Sequence, residues 1–278
     1  NMRNKTLRIL FSLLLVATSF TACAQKRTPF FVQISDPQLG FITKSEDFKP
    51  EKELMQRITA RVNALNPDFI VFSGDMVHYG NSATALEGFK QMCKEFNSDI
   101  PLYFLPGNHD VENSAPAENV ALFVERYGHD RFVHKAKGYT VIGYNSCVIK
   151  AATAAEADEY AWIEKALKRA RRNKPIILVA HHPMFVSSPD EPEVYENIPI
   201  PLREKYLALF EQYGVDLVLA GHLHKCAQGA YNGIQFVTAG PAGRILGKDK
   251  SGIEIITIEG GRAEAKYYEI DDIPQSIK

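Results

Sequence analysis

The sequence predicts an α/β fold, and two observations lead to that prediction. Short apolar runs, such as 30–34, 69–72 and 102–105, are typical of buried strands. The longer segments between them repeat apolar residues at the spacing of a helix face, as in 50–65. Because the two kinds of segment alternate along the chain, the pattern indicates parallel strands joined by helices that cover the sheet.

Residues that usually begin and end helices mark the helical segments. Pro50 suits a first turn, and Asn66-Pro67 ends the same pattern. Gly128 and Gly214 follow two later helices, where glycine commonly ends a helix in a left-handed conformation. The predicted helices are 50–65, 86–96, 120–127, 156–172 and 202–213.

Apolar runs rich in β-branched and aromatic residues mark the strands. Some of the runs are apolar at every position and indicate strands buried on both faces. The predicted strands are 30–34, 69–72, 102–105, 139–144, 176–180, 215–220, 234–239, 253–258 and 264–270. Residues 186–201 are too rich in proline and acidic residues for a regular element, and they predict a lid or specificity loop with solvated charges.

The composition is that of a globular protein. The chain has 278 residues, of which 45% are hydrophobic and 23% charged, which is enough for one substantial domain or for two. Its 32 basic and 33 acidic residues give a net charge of −1. This balance lacks the basic surface that binds nucleic acid, so no nucleic-acid partner is expected.

Residues 1–22 are interpreted as a signal peptide. Three basic residues precede the apolar stretch 9–20, which is too short to span a bilayer comfortably. Two cleavage patterns are present: a cut before Gln25, or a relaxed bacterial lipobox that makes Cys23 the first mature, lipidated residue. We favour the second. The expected protein is an exported bacterial-type lipoprotein of the periplasm or cell envelope, touching a membrane only through its lipid anchor.

The remaining cysteines, Cys93, Cys147 and Cys226, are widely spaced and form no Cys-x-x-Cys pair. Neither a zinc knuckle nor a disulfide framework is indicated, and at most one disulfide could form. Small buried thiols are the expected role of Cys93 and Cys147. Cys226 lies two residues past His224, but a metal-binding role for it is not expected.

Residues able to bind a metal follow five of the predicted strands. They are Asp36 and Gln38, then Asp75, Asn108, His181, and finally His222 and His224. Taken singly, each has an ordinary alternative: Asp75 could cap a helix, and His181 could be a hydrogen-bonded core histidine. Together, carboxylates and imidazoles at one edge of a sheet would repel each other or stay unsatisfied without a cation. The set therefore predicts a metal site.

These motifs resemble, in order, the signatures of the calcineurin-like metallophosphoesterases. The matching motifs are Asp36-x-Gln38, Gly74-Asp75, Gly107-Asn108-His109-Asp110, His181-x-Pro183 and Gly221-His222-x-His224. The resemblance covers residues 29–270. Segments 33–40 and 240–248 are most similar to the branch that contains the calcineurin-like phosphoesterase domain-containing serine/threonine phosphatase.

The resemblance implies a four-layer α/β/β/α sandwich, in which two mixed sheets are flanked by helices, with two divalent metal ions at the strand ends. One metal would be held by Asp36, Gln38, Asp75 and His224, and the other by Asp75, Asn108, His181 and His222. Asp75 would bridge the two ions, as one carboxylate can do at the spacing usual for two-metal hydrolases. The His-x-Pro pattern assigns His181 as the ligand and leaves its neighbour His182 as a supporting residue.

Gln38 departs from most of the superfamily, which has histidine at this position. An amide oxygen is a harder and weaker ligand than an imidazole, so manganese or magnesium is favoured at the Gln38 site, or an ion that is readily lost. Iron or zinc remains an alternative.

The implied reaction is hydrolysis of a phosphomonoester by a hydroxide held between the metals, as in a serine/threonine-type phosphatase. His109 is expected to protonate the leaving group, with Asp110 orienting its ring. Arg244, in a glycine-rich loop, is a candidate phosphate contact, with an ordinary exposed arginine as the alternative. The substrate would be a phosphorylated small molecule or a phosphopeptide. Two alternatives stay open: a phosphodiesterase or nucleotidase acting on small exported or scavenged phosphoesters, and a metal-dependent binding protein without turnover.

Overall fold

The structure is a computed structural model that describes residues 27–43 and 45–277. The predicted signal peptide 1–22 and the predicted lipidation site Cys23 lie outside the described residues. Within the described part of the chain, no helix combines the length and the apolar character needed to cross a membrane.

The strands form two mixed sheets, as predicted. Their bounds are β1 (Phe30–Ile34), β2 (Ile70–Phe72), β3 (Leu102–Phe104), β4 (Phe132–Ala136), β5 (Tyr139–Gly143), β6 (Ile176–Val179), β7 (Leu217–Ala220), β8 (Ala227–Tyr231), β9 (Ile234–Thr238), β10 (Gly252–Glu259) and β11 (Arg262–Glu269). The first sheet has the order β11-β10-β1-β2-β3, and the second has the order β4-β5-β6-β7-β9-β8.

Helices flank the two sheets. They are α1 (Lys49–Leu65), α2 (Ala83–Cys93), α3 (Asn108–Val111), α4 (Ala117–Tyr127), α5 (Ser146–Lys150), α6 (Glu156–Ala170) and α7 (Ile200–Tyr213), with a short 3-10 helix at Ile270–Asp272. Gly128 and Gly214 follow α4 and α7 in the left-handed conformation, with φ of 84° and 63°, as their positions in the sequence predict.

Alternate residues of a strand pack into different layers of the core. Phe31 of β1 belongs to a cluster that contains Val71 of the first sheet and Ile177 and Leu219 of the second, so this cluster lies between the sheets. The neighbouring residue Val32 belongs to a larger cluster that also contains apolar residues of the helices. Both faces of β1 are therefore buried, which explains its uninterrupted apolar sequence.

The sequence prediction missed β4, β8, α3, α5 and the short 3-10 helix. The two strands are edge strands whose residues alternate between less and more exposed positions, and neither contains an uninterrupted apolar run of more than two residues. Each forms a hairpin with its neighbour, β5 or β9, and the second hairpin turns at Asn232-Gly233. Pairing with a neighbouring strand stabilises these segments, and their own composition gives only a weak signal.

Parallel pairing brings the ends of five strands to one edge of the molecule. In the first sheet β1 pairs with β2 and β2 with β3 in parallel. In the second sheet β6 pairs with β7 in parallel. All five carry the predicted metal-binding residues just beyond their carboxyl ends, where open α/β sheets place their ligand sites.

Candidate metal centre

Five of the seven predicted ligands lie in two groups of titratable side chains, and one of these groups also contains His182. In each group, one ligand atom per residue lies within 4.8 Å of the others. One group contains Asp36, Asp75 and His224, and the other contains His181, His182 and His222. We call Asp36, Gln38 and His224 the Gln38 half, and Asn108, His181 and His222 the His181 half, with Asp75 between them.

Five of the seven predicted ligands have left-handed backbone conformations. They are Asp36, Gln38, Asp75, His222 and His224, with φ between 41° and 72°. Such conformations cost roughly 1–3 kcal/mol for each non-glycine residue and persist where the surrounding structure enforces them. Strain concentrated at the ends of three strands indicates that the loops are held in place to direct these side chains.

Glycine is required at two positions because the loops approach each other closely. A Cβ atom on Gly107 would lie 2.1 Å from Asp75 Oδ1, and one on Gly74 would lie 2.3 Å from His181 Nδ1. Gly107 itself is extended, with φ of −105°, so close packing rather than a sharp turn explains the glycine there. Gly74 has in addition a φ of 103°.

Backbone carbonyls hold three imidazole rings by the same nitrogen. The Nδ1 atom of His181 donates to Ser73 O at 3.0 Å, and that of His109 donates to His78 O at 2.8 Å. His224 Nδ1 donates in the same way to the carbonyl of Arg244. In each ring Nε2 is left as the nitrogen that can bind a metal or transfer a proton.

Short contacts define the His181 half. His181 Nε2 lies 3.4 Å from Asp75 Oδ2 and 3.1 Å from Asn108 Oδ1. The ring centroids of His181 and His222 are 5.0 Å apart. The imidazole, the amide oxygen and the bridging carboxylate therefore face a common point.

Polar atoms without partners mark the Gln38 half. Asp36 Oδ1 and both side-chain polar atoms of Gln38 are buried and have no hydrogen-bond partner among the described residues. His224 Nε2 lies 3.4 Å from Asp36 Oδ1. The other Asp36 oxygen accepts from the backbone N–H of His222 at 2.9 Å. Asp36 Oδ1 therefore faces the His224 ring, and the amide oxygen of Gln38 is left without a protein partner.

The residues present fit a pair of divalent cations. Buried polar atoms normally have hydrogen-bond partners, and leaving one without a partner costs about 1–3 kcal/mol. Here Asp36 Oδ1, Gln38 Oε1 and His222 Nε2 are all buried and unpartnered. Carboxylate, amide and imidazole groups in this arrangement are a set of donors that suits divalent metals.

Burial and mutual charge set the pKa values of the buried groups. Burial disfavours the charged form of Asp75, but His181 more than offsets it and holds the pKa of Asp75 well below its usual range. Burial also lowers the pKa of His222 to about 3, with the charge of His181 acting in the same direction. His222 is therefore neutral near pH 7, and a neutral imidazole is the form that binds metals.

Asp110 has a different role from the one expected. Its carboxylate accepts from the backbone N–H groups of Asp75 at 2.7 Å, Met76 at 3.0 Å and Gly107 at 2.9 Å. Burial, reinforced by the charge of Asp75, raises its pKa. The prediction that Asp110 orients the His109 ring is wrong, because the carbonyl of His78 binds that ring and Asp110 joins the loops after β2 and β3.

His182 lies in the same group as His181 and His222, so proximity alone does not choose between the adjacent histidines. Its Nδ1 is 3.2 Å from the Ser146 hydroxyl, and its pKa is lowered well below the usual value by burial and by His222. The contacts of His181 with Asp75 and Asn108 favour His181 as the ligand. A supporting role for His182 stays a prediction.

Arg244 lies beside the Gln38 half. Its guanidinium stacks over the Phe41 ring at 4.7 Å, and its Nη1 donates to the Phe41 carbonyl at 3.3 Å. Phe41 stacks in turn on His78, and His78 stacks on His109, each pair with centroids 4.7 Å apart. A role for Arg244 in binding phosphate stays a prediction.

Sequence reasoning missed two residues, His78 and Tyr195. The His78 ring packs against His109, and its position three residues after Asp75 was a signal in the sequence. The Tyr195 hydroxyl accepts from Asn108 Nδ2 at 3.1 Å, although nothing in its loop sequence indicated this contact. Next to these residues, a cavity of about 310 Å³ extends from His109 toward α4, where Asn119 and Arg126 line it.

The loop between β6 and α7 is irregular, as predicted, but it is extensively hydrogen-bonded. The Glu191 carboxylate accepts from the backbone N–H groups of Val186, Ser187 and Ser188. These hydrogen bonds more than offset the effect of burial and lower its pKa to about 2. The expectation that this charge is simply solvated is wrong for Glu191. Arg203, which is 1% exposed, donates to the carbonyls of Pro189 and Glu191.

Among the described residues, Cys93, Cys147 and Cys226 are free thiols. Cys147 is buried, as expected, and Cys93 is half-buried. Cys226 belongs to neither group of candidate ligands, and burial, aided by the charge of Asp249, raises its pKa to about 12.

Curated relatives share most of their length with this chain. A Danio rerio protein named Serine/threonine-protein phosphatase CPPED1 is 27% identical over 267 residues, covering 88% of this chain and 86% of the relative. Its Rattus norvegicus counterpart is 28% identical over 264 residues, with 88% and 85% covered. A protein named Probable glycerophosphodiester phosphodiesterase GpdQ, from Arcobacter nitrofigilis, is 30% identical over 181 residues, covering 62% of each chain.

Solved structures share the fold. A dimetal phosphatase from Danio rerio has a TM-score of 0.66 at 11% identity, with 88% of this chain and 97% of that chain covered. A purple acid phosphatase from Lupinus luteus has a TM-score of 0.67 at 15% identity, with 90% and 53% covered. Residues 31–226 match the sequence model described as Calcineurin-like phosphoesterase. The chain belongs to the calcineurin-like phosphoesterase family, in agreement with the motifs at its strand ends.

Proposed function

We propose that this protein is a dinuclear-metal phosphoesterase that hydrolyses phosphomonoesters. The observation that carries the proposal is the convergence of seven ligand candidates from five strand ends, with buried oxygen and nitrogen atoms that lack protein partners. Asp36, Gln38, Asp75 and His224 would hold one metal. Asp75, Asn108, His181 and His222 would hold the other. When bound, the two ions supply electrophilic activation of the phosphoryl group and of water.

His109 is the proposed proton donor to the leaving group. Its backbone N–H donates to Asp75 Oδ1 at 2.8 Å, which fixes the residue beside the bridging carboxylate. Its Nδ1 is held by the carbonyl of His78, so Nε2 is free to deliver a proton. The cavity that opens next to this ring has room for the alcohol part of a phosphate ester.

The family relatives support a phosphomonoester of the serine/threonine type, carried by a phosphopeptide or a phosphorylated small molecule. The relatives with the longer coverage have names that describe protein phosphatases. A second candidate activity is hydrolysis of phosphodiesters, which the name of the Arcobacter nitrofigilis relative supports. Nucleic acid is not a proposed partner, because the net charge of −1 provides no general attraction to polyanions.

Manganese or magnesium is the proposed metal of the Gln38 half. Gln38 and Asp36 contribute oxygen atoms, and His224 contributes the only nitrogen proposed for that metal. Oxygen ligands favour these harder ions over softer ones. Metal content after expression in medium with defined metals, compared with activity after loading each ion singly, tests this assignment. Highest activity with zinc alone would contradict it.

Hydrolysis of para-nitrophenyl phosphate and of its bis-ester after manganese loading tests the reaction class. We expect the monoester to be cleaved faster. Faster cleavage of the bis-ester would favour the diesterase. Cleavage of neither substrate, with two metals bound, would favour a binding protein without turnover. A phosphoserine peptide compared with a nucleotide monophosphate then separates the two substrate classes.

Export with a lipid on Cys23 is also proposed, on the sequence pattern alone. Mass spectrometry of the purified mature protein should give an acylated amino-terminal cysteine. An unmodified amino terminus at Gln25 would support the other cleavage pattern.

A further inference from the structure

The side chain of Tyr195 reaches the candidate metal centre from the loop between β6 and α7. Its hydroxyl accepts from Asn108 Nδ2 at 3.1 Å and donates to Asn113 Oδ1 at 3.2 Å. Its ring centroid lies 5.2 Å from that of His222. Tyr195 thus touches two residues of the His181 half, although its own side chain is not among the candidate ligands.

An amide ligand has to present its oxygen to a cation, because its NH₂ group carries only donors. The two ends of the Asn108 amide have similar shapes, so packing alone does not decide which end faces the metal. On the metal side, Asn108 Oδ1 lies 3.1 Å from His181 Nε2. The NH₂ group must then find an acceptor on the opposite side, and the hydroxyl of Tyr195 is that acceptor.

A tyrosine hydroxyl has one proton, which can be donated in one direction only. Here the proton is directed to Asn113 Oδ1, so the oxygen of Tyr195 is left to accept from Asn108. The three groups form a chain of donors that runs from Asn108 through Tyr195 to Asn113. Reversing the Asn108 amide would place its oxygen against the Tyr195 oxygen and its NH₂ group toward the metal.

The loop that carries Tyr195 is held on both sides of this residue. Lys150 Nζ donates to the carbonyl of Val194 at 3.0 Å and also to that of Asn197. Asn197 is fully buried and accepts from the Val194 backbone N–H at 2.9 Å. With Glu191 holding the start of the loop, Tyr195 is a fixed acceptor, even though 56% of its surface is exposed.

We infer that Tyr195 is a positioning residue that orients the Asn108 amide for metal binding in the His181 half. The inference rests on the proposed metal centre but does not depend on that centre being catalytic. Partners that orient a ligand typically contribute 10–100-fold to metal affinity or activity. The loop between β6 and α7 is therefore a brace for the metal centre.

Calorimetric titration of the metal-free protein with Mn²⁺ tests this role. We expect Tyr195→Phe, which keeps the ring and removes the hydroxyl, to weaken one of the two Mn²⁺ sites about 10–100-fold and leave the other within about threefold. Asn113→Ala, which removes the acceptor for the tyrosine proton, should weaken the same site by a smaller factor. Tyr268→Phe on β11 is the matched control and should leave both sites unchanged.

Kinetic measurements on the Tyr195→Phe variant distinguish a positioning role from a substrate contact or a purely structural role. Tyr195→Phe should lower kcat at a fixed Mn²⁺ concentration, and excess Mn²⁺ should restore it. Unchanged Mn²⁺ affinity at both sites would overturn the inference, as would equal weakening of both sites together with a lower Tm. A rise in KM alone, with normal Mn²⁺ binding, would make Tyr195 a substrate contact and would also overturn it. Absence of phosphatase activity in the wild-type protein leaves the binding test intact.

Discussion

Two amide side chains, Gln38 and Asn108, are proposed to bind metal in the two halves of the centre, and their surroundings differ. The Asn108 amide donates through Nδ2 to the Tyr195 hydroxyl, and its Oδ1 lies 3.1 Å from His181 Nε2. Neither polar atom of Gln38 has a partner among the described residues. The Asn108 amide is oriented before a metal arrives, whereas the Gln38 amide depends on the cation to select its orientation.

This difference has an energetic consequence. A ligand side chain that is already oriented loses little conformational entropy when the metal binds. A side chain that becomes fixed only on binding loses more, and this loss offsets part of the binding free energy. Metal should therefore bind more tightly in the His181 half than in the Gln38 half. The predictions below test this comparison, from the largest expected effect to the smallest.

Asp75 belongs to both halves, so its replacement should remove the difference between them. Asp75→Asn is expected to weaken both metals and to reduce kcat/KM by about 10⁴-fold, a loss of about 5 kcal/mol of transition-state stabilisation. Metal analysis of the purified variant, alongside the para-nitrophenyl phosphatase assay, measures both effects. Retention of one metal at full occupancy would show that Asp75 does not bridge.

His109 tests whether the chemistry can be separated from metal binding. His109→Ala should slow turnover of alkyl phosphates by about 10²–10⁴-fold, because the alkoxide then leaves without a positioned acid. Both metals should remain bound. A substrate with an acidic leaving group, such as para-nitrophenyl phosphate, should be affected less. Loss of both metals in the variant would contradict the role of His109 as the acid.

Gln38→Ala and Asn108→Ala form a matched pair that compares the halves directly. Each should weaken one Mn²⁺ site by at least about 10–100-fold, the loss typical of removing even an indirect partner of a metal. The weaker site of the wild-type protein should be the one lost in Gln38→Ala. If Gln38→Ala abolishes the tighter site instead, the difference in affinity runs opposite to the difference in hydrogen bonding.

Metal should also stabilise the fold in two steps. A site filled at 100 times its Kd adds about 2.7 kcal/mol to the free energy of unfolding. For a chain of this size that corresponds to a Tm increase of roughly 5–10 °C for each site. Differential scanning calorimetry at increasing Mn²⁺ should give an early step from the His181 half and a later one from the Gln38 half. A single step would indicate equal affinities.

The smallest effect is expected from Glu191, which lies farther from the metals. Its pKa is lowered to about 2, so its contribution to stability is present above its unfolded pKa, near 4.5, and is lost as pH falls toward 2. Because the Glu191 side chain is only partly buried, solvent screening should limit this contribution to about 1 kcal/mol or less. Glu191→Gln should lower Tm by a few degrees at pH 7 and flatten the pH dependence of Tm between pH 4.5 and 2.

The two amides also differ in how far the sequence predicts them. The sequence supplied both as candidate ligands, because Asp36-x-Gln38 and Gly107-Asn108 follow strands whose apolar runs are unmistakable. The partner of Asn108 was not predictable, since Tyr195 is 87 residues away in a loop without a regular pattern. Contacts between distant loops depend on how the whole chain packs.

The hydrogen-bond partners of Asp110 could not be predicted from the sequence either. Its place in the motif 107–110 suggested a contact with the adjacent His109. Its carboxylate instead accepts from three backbone N–H groups, two of them on the loop after β2. Adjacent residues of a helical turn point in different directions, so neighbours in sequence are often not partners in space.

The sequence by itself determined the fold class, the order of the longer strands and helices and the identity of the candidate ligands. Strand periodicity and motif order are properties of the sequence, and they can be recognised without knowing how the chain packs. The tertiary structure decided which atoms lack partners, which backbone positions are strained and which loop braces the Asn108 amide. Those properties arise where five strand ends and the loop between β6 and α7 meet, and residues far apart in sequence create them together.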